Sequence, residues 1–283
     1  MISVITPTVR PDGLEIVRKC LKRQDFEDWE WIIVSPVPWA VCNETRDGFG
    51  MENYEFSKPT NGYFGDSYTS VWDDGRGSGD VLITQDPPKE KDDFWTLCKG
   101  WNKAYARARG ELIVNIQDLI WFPPDTLSKF WTHYQLNSKR LVGALGHQYS
   151  NVDENGKPQN IMWTDPRWKS DISFEKVSPS EMEMTMCSIP KQALLDCGGI
   201  DEEYDKANGA QEKEMCFRLR ELGYEMYLDH SIEYRAIHHE RLTKDWDEVY
   251  LNKTTPLFVR HMQELEIGRR TLNVNNLLKY VER

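Results

Sequence analysis

At 283 residues, with 29% charged and 12% aromatic side chains, the chain can build one substantial core and is too rich in large apolar groups to be disordered. Its net charge of −11 excludes a protein that grips nucleic acid in bulk through phosphate contacts. Six cysteines without a CxxC pair read as reduced, buried thiols, and the lack of a basic leader or a membrane-length apolar run sets the expectation of a cytoplasmic protein with no transmembrane segment.

The first half alternates short β-rich runs with helical patterns, the signature of βαβ units and a mainly parallel sheet. Residues 2–6 (ISVIT) form a strand, residues 13–23 a helix with Leu14, Val17 and Leu21 inward, and residues 29–35 the next strand. From Pro36 to Gly79 the pattern dissolves into Pro, Gly, Asn and aromatic residues, a long irregular insert of the kind that carries function. Residues 80–84 resume the strands, residues 93–109 give a helix with Phe94, Leu97, Trp101, Ala104, Tyr105 and Ala108 on one side, and residues 111–116 form a strongly apolar strand. Gln117-Asp118-Leu119 stands at that strand's carboxyl end, where open α/β sheets bind ligands. Pro123-Pro124 starts another helix, residues 141–145 form a strand, and residues 151–158 (NVDENGKP) read as a hairpin tip.

Residues 198–218, GGIDEEYDKANGAQEKEMCFR, form a glycine-punctuated acidic loop that runs into a short helix. Met215, Leu219 and Leu222 lie three or four apart with Cys216 alongside, and counting back one turn places Glu212 on that apolar stripe. Glu214 points elsewhere, with Arg218 as its i,i+4 partner. A carboxylate turned toward a low-dielectric interior is costly unless it binds something, so Glu212 is a candidate general base or ligand contact, the alternative being a first-turn glutamate that swings to solvent. Residues 224–228 and 232–237 read as two strands leading to His238-His239. Residues 243–283 supply amphipathic helices, one starting at Thr255-Pro256 and another spanning residues 274–281, placed to cover the acceptor side or to mediate homo-oligomerisation. Asp118, Glu212 and one of His238 or His239 thus converge on a cleft for metal-assisted group transfer, since adjacent strand residues face opposite ways.

Taken in order, these pieces over residues 1–240 resemble the inverting GT-A glycosyltransferases of family 2. Residues 2–8 (ISVITPT) are similar to the family's opening strand and Pro-Thr turn; Asn102, Ala104, Ala108, Gly110 and Glu111 to its helix-to-strand passage; residues 198–202 (GGIDE) to its GGFDE turn; and residues 211–218 (QEKEMCFR) to its ED-x-D/E-L-x-x-R helix. The resemblance implies a Rossmann-like α/β fold: a mainly parallel sheet flanked by helices, a small antiparallel part, and a helical tail over residues 241–283 packed on the domain.

It further implies sugar transfer from a nucleoside diphosphate donor, a UDP-sugar favoured, to a hydroxyl acceptor. Glu212 stands where the family has its base, with Glu214 as second choice. Asp118 would help hold Mn²⁺ or Mg²⁺, with His238 or His239 as a later ligand. Donor contacts would come from Thr6, Pro7, Thr8, Arg10, Asp86, Lys99, Asn102, Gln117 and Asp118, and acceptor selection from the region of Trp163, Trp168, Gly198, Gly199 and Asp201; Arg107 and Arg109 are near enough in sequence to reach a diphosphate, though a solvated basic helix face is the preferred reading for these two arginines. A modified nucleobase is among the acceptors left open. Two departures stand out: the metal motif carries one carboxylate where the family has two, and the second strand ends Ser35-Pro36-Val37-Pro38 in place of Asp-Asp-Gly-Ser. They favour a rival, a carbohydrate- or nucleotide-binding module without turnover. A nucleotidyltransferase ranks lower, because no glycine-rich, lysine-bearing phosphate loop follows the first strand.

Overall fold

Residues 112–116 (LIVNI) form an almost unbroken apolar run, the pattern of a strand covered on both faces. The computed structural model, which describes residues 1–8, 11–35, 68–72, 80–84, 97–152, 158–207, 209–237 and 246–281, buries all five of them. In chain order the elements are β1 (Ile2–Pro7), α1 (Pro11–Leu21), β2 (Trp29–Ser35), β3 (Tyr68–Trp72), β4 (Asp80–Thr84), α2 (Leu97–Arg107), β5 (Leu112–Ile116), β6 (Ile120–Trp121) and α3 (Thr126–Leu136). Then follow β7 (Arg140–Val152), β8 (Pro158–Thr164), β9 (Phe174–Lys176), β10 (Met186–Pro190), α4 (Lys191–Cys197), α5 (Gln211–Glu221), β11 (Glu225–Ile237), α6 (Trp246–Val249), α7 (Thr255–Glu266) and α8 (Leu278–Val281).

The described strands form one mixed sheet in the order β3-β4-β2-β1-β5-β10-β7-β11-β6, with β8 on β7 and β9 on β11. Strands β4, β2, β1 and β5 run parallel, and β10 enters antiparallel between β5 and β7, so the antiparallel part reaches nearer the centre than the alternation alone suggests. Alternate residues serve two cores: Ile5 and Ile113 pack with Trp101, Tyr105, Met215 and Leu219 on one face, while Val4 and Val114 pack with Leu14, Val17 and Phe130 on the other.

Three expectations change. The insert read as irregular contains β3, a Tyr-Thr-Ser-Val-Trp strand of high β-propensity hidden between Gly- and Asp-rich flanks. Residues 225–237 form one strand, β11, whose register on β7 shifts between Asp229 and Glu233, where Asp229 accepts from the Ser231 N–H. Residues 274–277 are not helical. Asn273 Oδ1 accepts from the Asn275 N–H while the Asn273 and Asn276 amides donate to the Asp196 and Ile200 carbonyls, which competes with helix formation, and the segment lies as a strap with the Val274 N–H on the Cys197 carbonyl and the Leu277 N–H on that of Gly198. The five described cysteines are buried and free. No described helix is long and apolar enough to cross a membrane.

Candidate active site

The loop that delivers α5 is built by close backbone approach. Gly198 and Gly199 take φ of 72° and 81°, and a β-carbon on Gly199 would stand 2.4 Å from Asn102 Oδ1. Asn102 explains the contact: its Oδ1 accepts from the Ile200 N–H and its Nδ2 donates to the Ile200 carbonyl, at 2.9 and 2.8 Å. Arg218 holds the other side. Its guanidinium donates to Glu214, to the carbonyls of Cys197, Gly199 and Leu272, and leaves no N–H unpaired. Glu214 therefore does pair with Arg218, the pair is fully buried, and Glu214 Oε1 also accepts from Arg270 Nε at 2.8 Å.

Gly209 and Ala210 follow, both left-handed, with φ of 87° and 64°, and they swing the first turn of α5 against a pocket of about 350 Å³. Glu212 lies on its wall. The carboxylate oxygen Oε2 is buried without a hydrogen-bond partner. Burial raises this carboxyl above its ordinary value, the Glu212 N–H and Lys213 pull it down, and Glu183 adds to the rise. Trp101 and Tyr204 also line the pocket, and each carries a buried polar atom without a partner, Nε1 and Oη. Asp205, also on the wall, is lifted to about 6 by burial although the N–H groups of Cys98 and Lys99 bond to it.

Tyr250 closes part of the pocket from a single π turn, residues 250–254, between α6 and α7. Pro256 lacks the N–H that an α ladder would send to the Asn252 carbonyl, and the Tyr250 carbonyl accepts both the Thr255 N–H, the bond that widens the turn, and the Thr255 hydroxyl.

Gln117 also lines the pocket, and Asp118 sits beside it, buried, with its Oδ2 accepting from Thr8 Oγ1 at 2.7 Å. Leu119 takes a φ of 59°, turning the chain at the strand end. Among the described residues this end offers one carboxylate and one amide oxygen. That set fits a hard divalent ion that would take its other oxygen ligands from outside these two residues. A second acid cluster, Asp201, Glu203 and His261, brings three ligand atoms within 4.8 Å of one another. Arg270 already donates to Asp201 and Arg260 to Glu203, so this cluster balances guanidinium groups instead.

The remaining expected site residues fall elsewhere. Thr6 is fully buried and accepts from Trp31 Nε1. Pro7 ends β1. Lys99 is exposed on α2, and Asn102 commits its amide to the loop. Arg109 is clamped to Glu30 of β2 at 2.7 Å, so it fixes the connection between α2 and β5 against the sheet. Gly198, Gly199 and Asp201 lie under the strap, away from the pocket wall. Trp163 is exposed on β8 and Trp168 is half-buried against His147, neither of them on that wall. Arg10, Asp86, His238 and His239 lie outside the described residues. Sequence reasoning missed Tyr204 and Asp205 and placed Trp101 simply in the core, because whether an indole or phenol finds a partner is decided only by the fold.

No family model matches the sequence, and no curated protein matches it either. Solved structures do. The chain superposes on S. aureus TarS residues 1–349 in complex with UDP-GlcNAc with a TM-score of 0.54 at 14% identity, covering 92% of this chain and 66% of that one. It superposes on GalNAc-T7 with UDP, GalNAc and Mn²⁺ with a TM-score of 0.57 at 10% identity, covering 85% of this chain and 44% of that one. A second S. aureus TarS structure gives 0.52 at 14% identity over 84% of this chain and 36% of its own. The chain thus spans about a third to two thirds of the length of the structures it matches. The fold is the GT-A glycosyltransferase fold.

Proposed function

We propose that this chain transfers a sugar from a nucleoside diphosphate donor, a UDP-sugar, to a hydroxyl acceptor with inversion, and that Glu212 is the general base. The observation that carries the reading is Glu212 Oε2, a buried carboxylate oxygen without a partner on a pocket wall at the carboxyl end of the sheet. A base needs that arrangement: an acceptor proton within reach and a carboxyl whose pKa burial has moved toward the working pH. The acceptor O–H proton passes to Glu212, its oxygen bonds to the anomeric carbon, and the electron pair of the breaking C–O bond leaves with the diphosphate. One displacement inverts the centre. The solved structures of the same fold contain UDP, UDP-GlcNAc and Mn²⁺, which supports a uridine donor here. Asp118, held by Thr8, with Gln117 beside it, would hold Mn²⁺ or Mg²⁺, and such an ion supplies charge stabilisation to a departing diphosphate. In this reading residues 1–240 form the transferase body and residues 241–283 a tail braced against it.

Glu212→Gln tests the assignment. Sugar transfer is expected to fall about 10²- to 10⁴-fold, the usual worth of a positioned base, while the melting temperature holds or rises because the charge removed is a buried one. Near-normal turnover in the folded variant removes Glu212 from the mechanism. The lone carboxylate of Gln117-Asp118-Leu119 favours a second reading, a binding module on this fold. A wild-type protein that binds UDP-sugar yet shows neither transfer nor hydrolysis selects it.

A further inference from the structure

The segment between β9 and β10 carries a second acid to the pocket that Glu212 lines. Glu183 borders that pocket with a side chain 44% exposed, and its Oε2 accepts from Arg167 at 3.1 Å. Arg167 is already matched without it. Asp165, only 1% exposed, accepts from Arg167 Nε at 2.9 Å through Oδ1 and from a terminal nitrogen through Oδ2, while another guanidinium N–H goes to the Glu181 carbonyl. One cation between two carboxylates leaves one negative charge uncancelled, and of the two acids only Glu183 lines the pocket. Arg167 thus fixes where Glu183 sits without neutralising it.

The other groups around Glu212 do not supply that charge. Lys213, on the same turn of α5, acts in the opposite sense. Cys98 of α2, Cys187 of β10 and Cys216 of α5 are thiols that burial keeps protonated. Asp205 directs its carboxyl oxygens to the Cys98 and Lys99 N–H groups, and Tyr204 stays a neutral phenol because burial raises its pKa. Tyr250 borders the pocket from the π turn. A like charge near a carboxyl disfavours its ionised form. A carboxylate that holds a proton more tightly is the stronger acceptor of one from a hydroxyl.

We propose that Glu183, placed by Arg167, is a positioning residue of the transfer reaction, acting through Glu212: its charge on the shared pocket makes Glu212 the stronger proton acceptor. This rests on the glycosyl-transfer reading.

Carbon-13 labelling of glutamate side chains reads the Glu212 carboxyl directly by NMR titration, its signal identified by its loss in Glu212→Gln. UDP release from UDP-GlcNAc and UDP-glucose with Mn²⁺ gives the pH profile of kcat. Glu183→Gln keeps the shape and an acceptor oxygen for Arg167 while removing the charge. In this variant the Glu212 midpoint should fall by about 0.3–1 pH unit, a 2- to 10-fold loss of proton affinity from one partly screened like charge, and the acid limb of kcat should fall with it. Glu221→Gln, at the far end of α5 and outside the pocket, removes the same charge and sets the baseline. Glu183→Asp, which restores the charge, should bring both midpoints back toward the wild type. A purely structural part for Glu183 would lower the melting temperature of Glu183→Gln and leave both midpoints at the Glu221→Gln value, which overturns the inference. A Glu212 midpoint that falls while the kcat limb stays overturns it at a different step: the charge reaches Glu212, but Glu212 is not the base. A wild type that releases no UDP from either donor takes down the transfer reading itself, and the part of Glu183 in it, whatever the titration shows.

Discussion

Two glutamates two positions apart in α5 meet opposite fates, and the difference is whether a guanidinium is there to receive them. Glu214 is fully buried between Arg218 and Arg270, so Glu214→Gln strands positive charge in the interior and should cost about 3–5 kcal/mol, read as a lower urea midpoint. Glu212 has no such partner, and the same change there should leave the midpoint where it is or raise it. The raised pKa of Glu212 also sets a pH dependence. If Glu212 is the proposed base it must be ionised, so kcat should climb with pH along an acid limb centred above the ordinary carboxylate value of 4.5, and the limb should vanish in Glu212→Gln. A wild-type limb at or below that value would contradict the burial argument. Asp205 gives the matching stability signature. Its folded pKa, about 6, exceeds the ordinary 3.8, so the folded state holds this proton more tightly and gains stability as pH falls through 6, by up to about 3 kcal/mol. The melting temperature of the wild type minus that of Asp205→Asn should therefore become more positive between pH 7 and pH 5. Acids whose pKa is lowered, such as Asp201, where the Glu203 N–H and Arg270 outweigh burial, act in the opposite sense but are common to both proteins.

At the scale of elements, the loop from Cys197 to Ile200 shows why some motifs could be read and others not. Its glycines, the following carboxylates and Arg218 were legible because each answers a local demand: a left-handed backbone, a loop acid, a helix-spaced cation. Asn102 and the Ile200 backbone, ninety-eight residues apart in sequence, meet only in the fold, and so the asparagine's part in the loop was invisible. The same holds for β3 and for the strap, where edge pairing and asparagine side chains decided against the expected irregular insert and helix. Strands β1, β2 and β5 were recoverable because double-sided burial writes a continuous apolar run. The loop's tight fit makes a sharp prediction. Gly199→Ala combines a φ of 81° with a β-carbon 2.4 Å from Asn102 Oδ1, so it should cost at least the roughly 1–2 kcal/mol of a left-handed non-glycine residue, measured by denaturant unfolding. Gly268→Ala, with φ of 66° but open space around it, should cost only the backbone share. Equal losses in the two would show that steric approach to Asn102 contributes nothing.

Across the whole molecule, the helix that carries Glu212 is held from one side by the sheet core and from the other by the last segment of the chain. Met215 and Leu219 face the core, while Arg270 reaches Glu214 and Asp201, the Leu272 carbonyl takes an Arg218 N–H, and residues 273–277 lie along the Gly198–Gly199 turn. These strap contacts involve few apolar groups and several buried polar ones, so their removal uncovers charges and carbonyls that the remaining fold cannot re-pair. Deleting residues 269–283 should therefore weaken α5 selectively. Amide hydrogen exchange in α5 and in residues 197–201 should speed up well before that of β1 and β5, whose ladders are paired independently of the strap. On the proposed role of Glu212, transfer activity should fall together with α5 protection, because a base mounted on a fraying first turn loses its distance to an acceptor hydroxyl. Uniformly faster exchange through the sheet would instead mean that the strap stabilises the domain as one unit. Unchanged exchange in α5 would mean that Arg218 and the core hold the helix unaided.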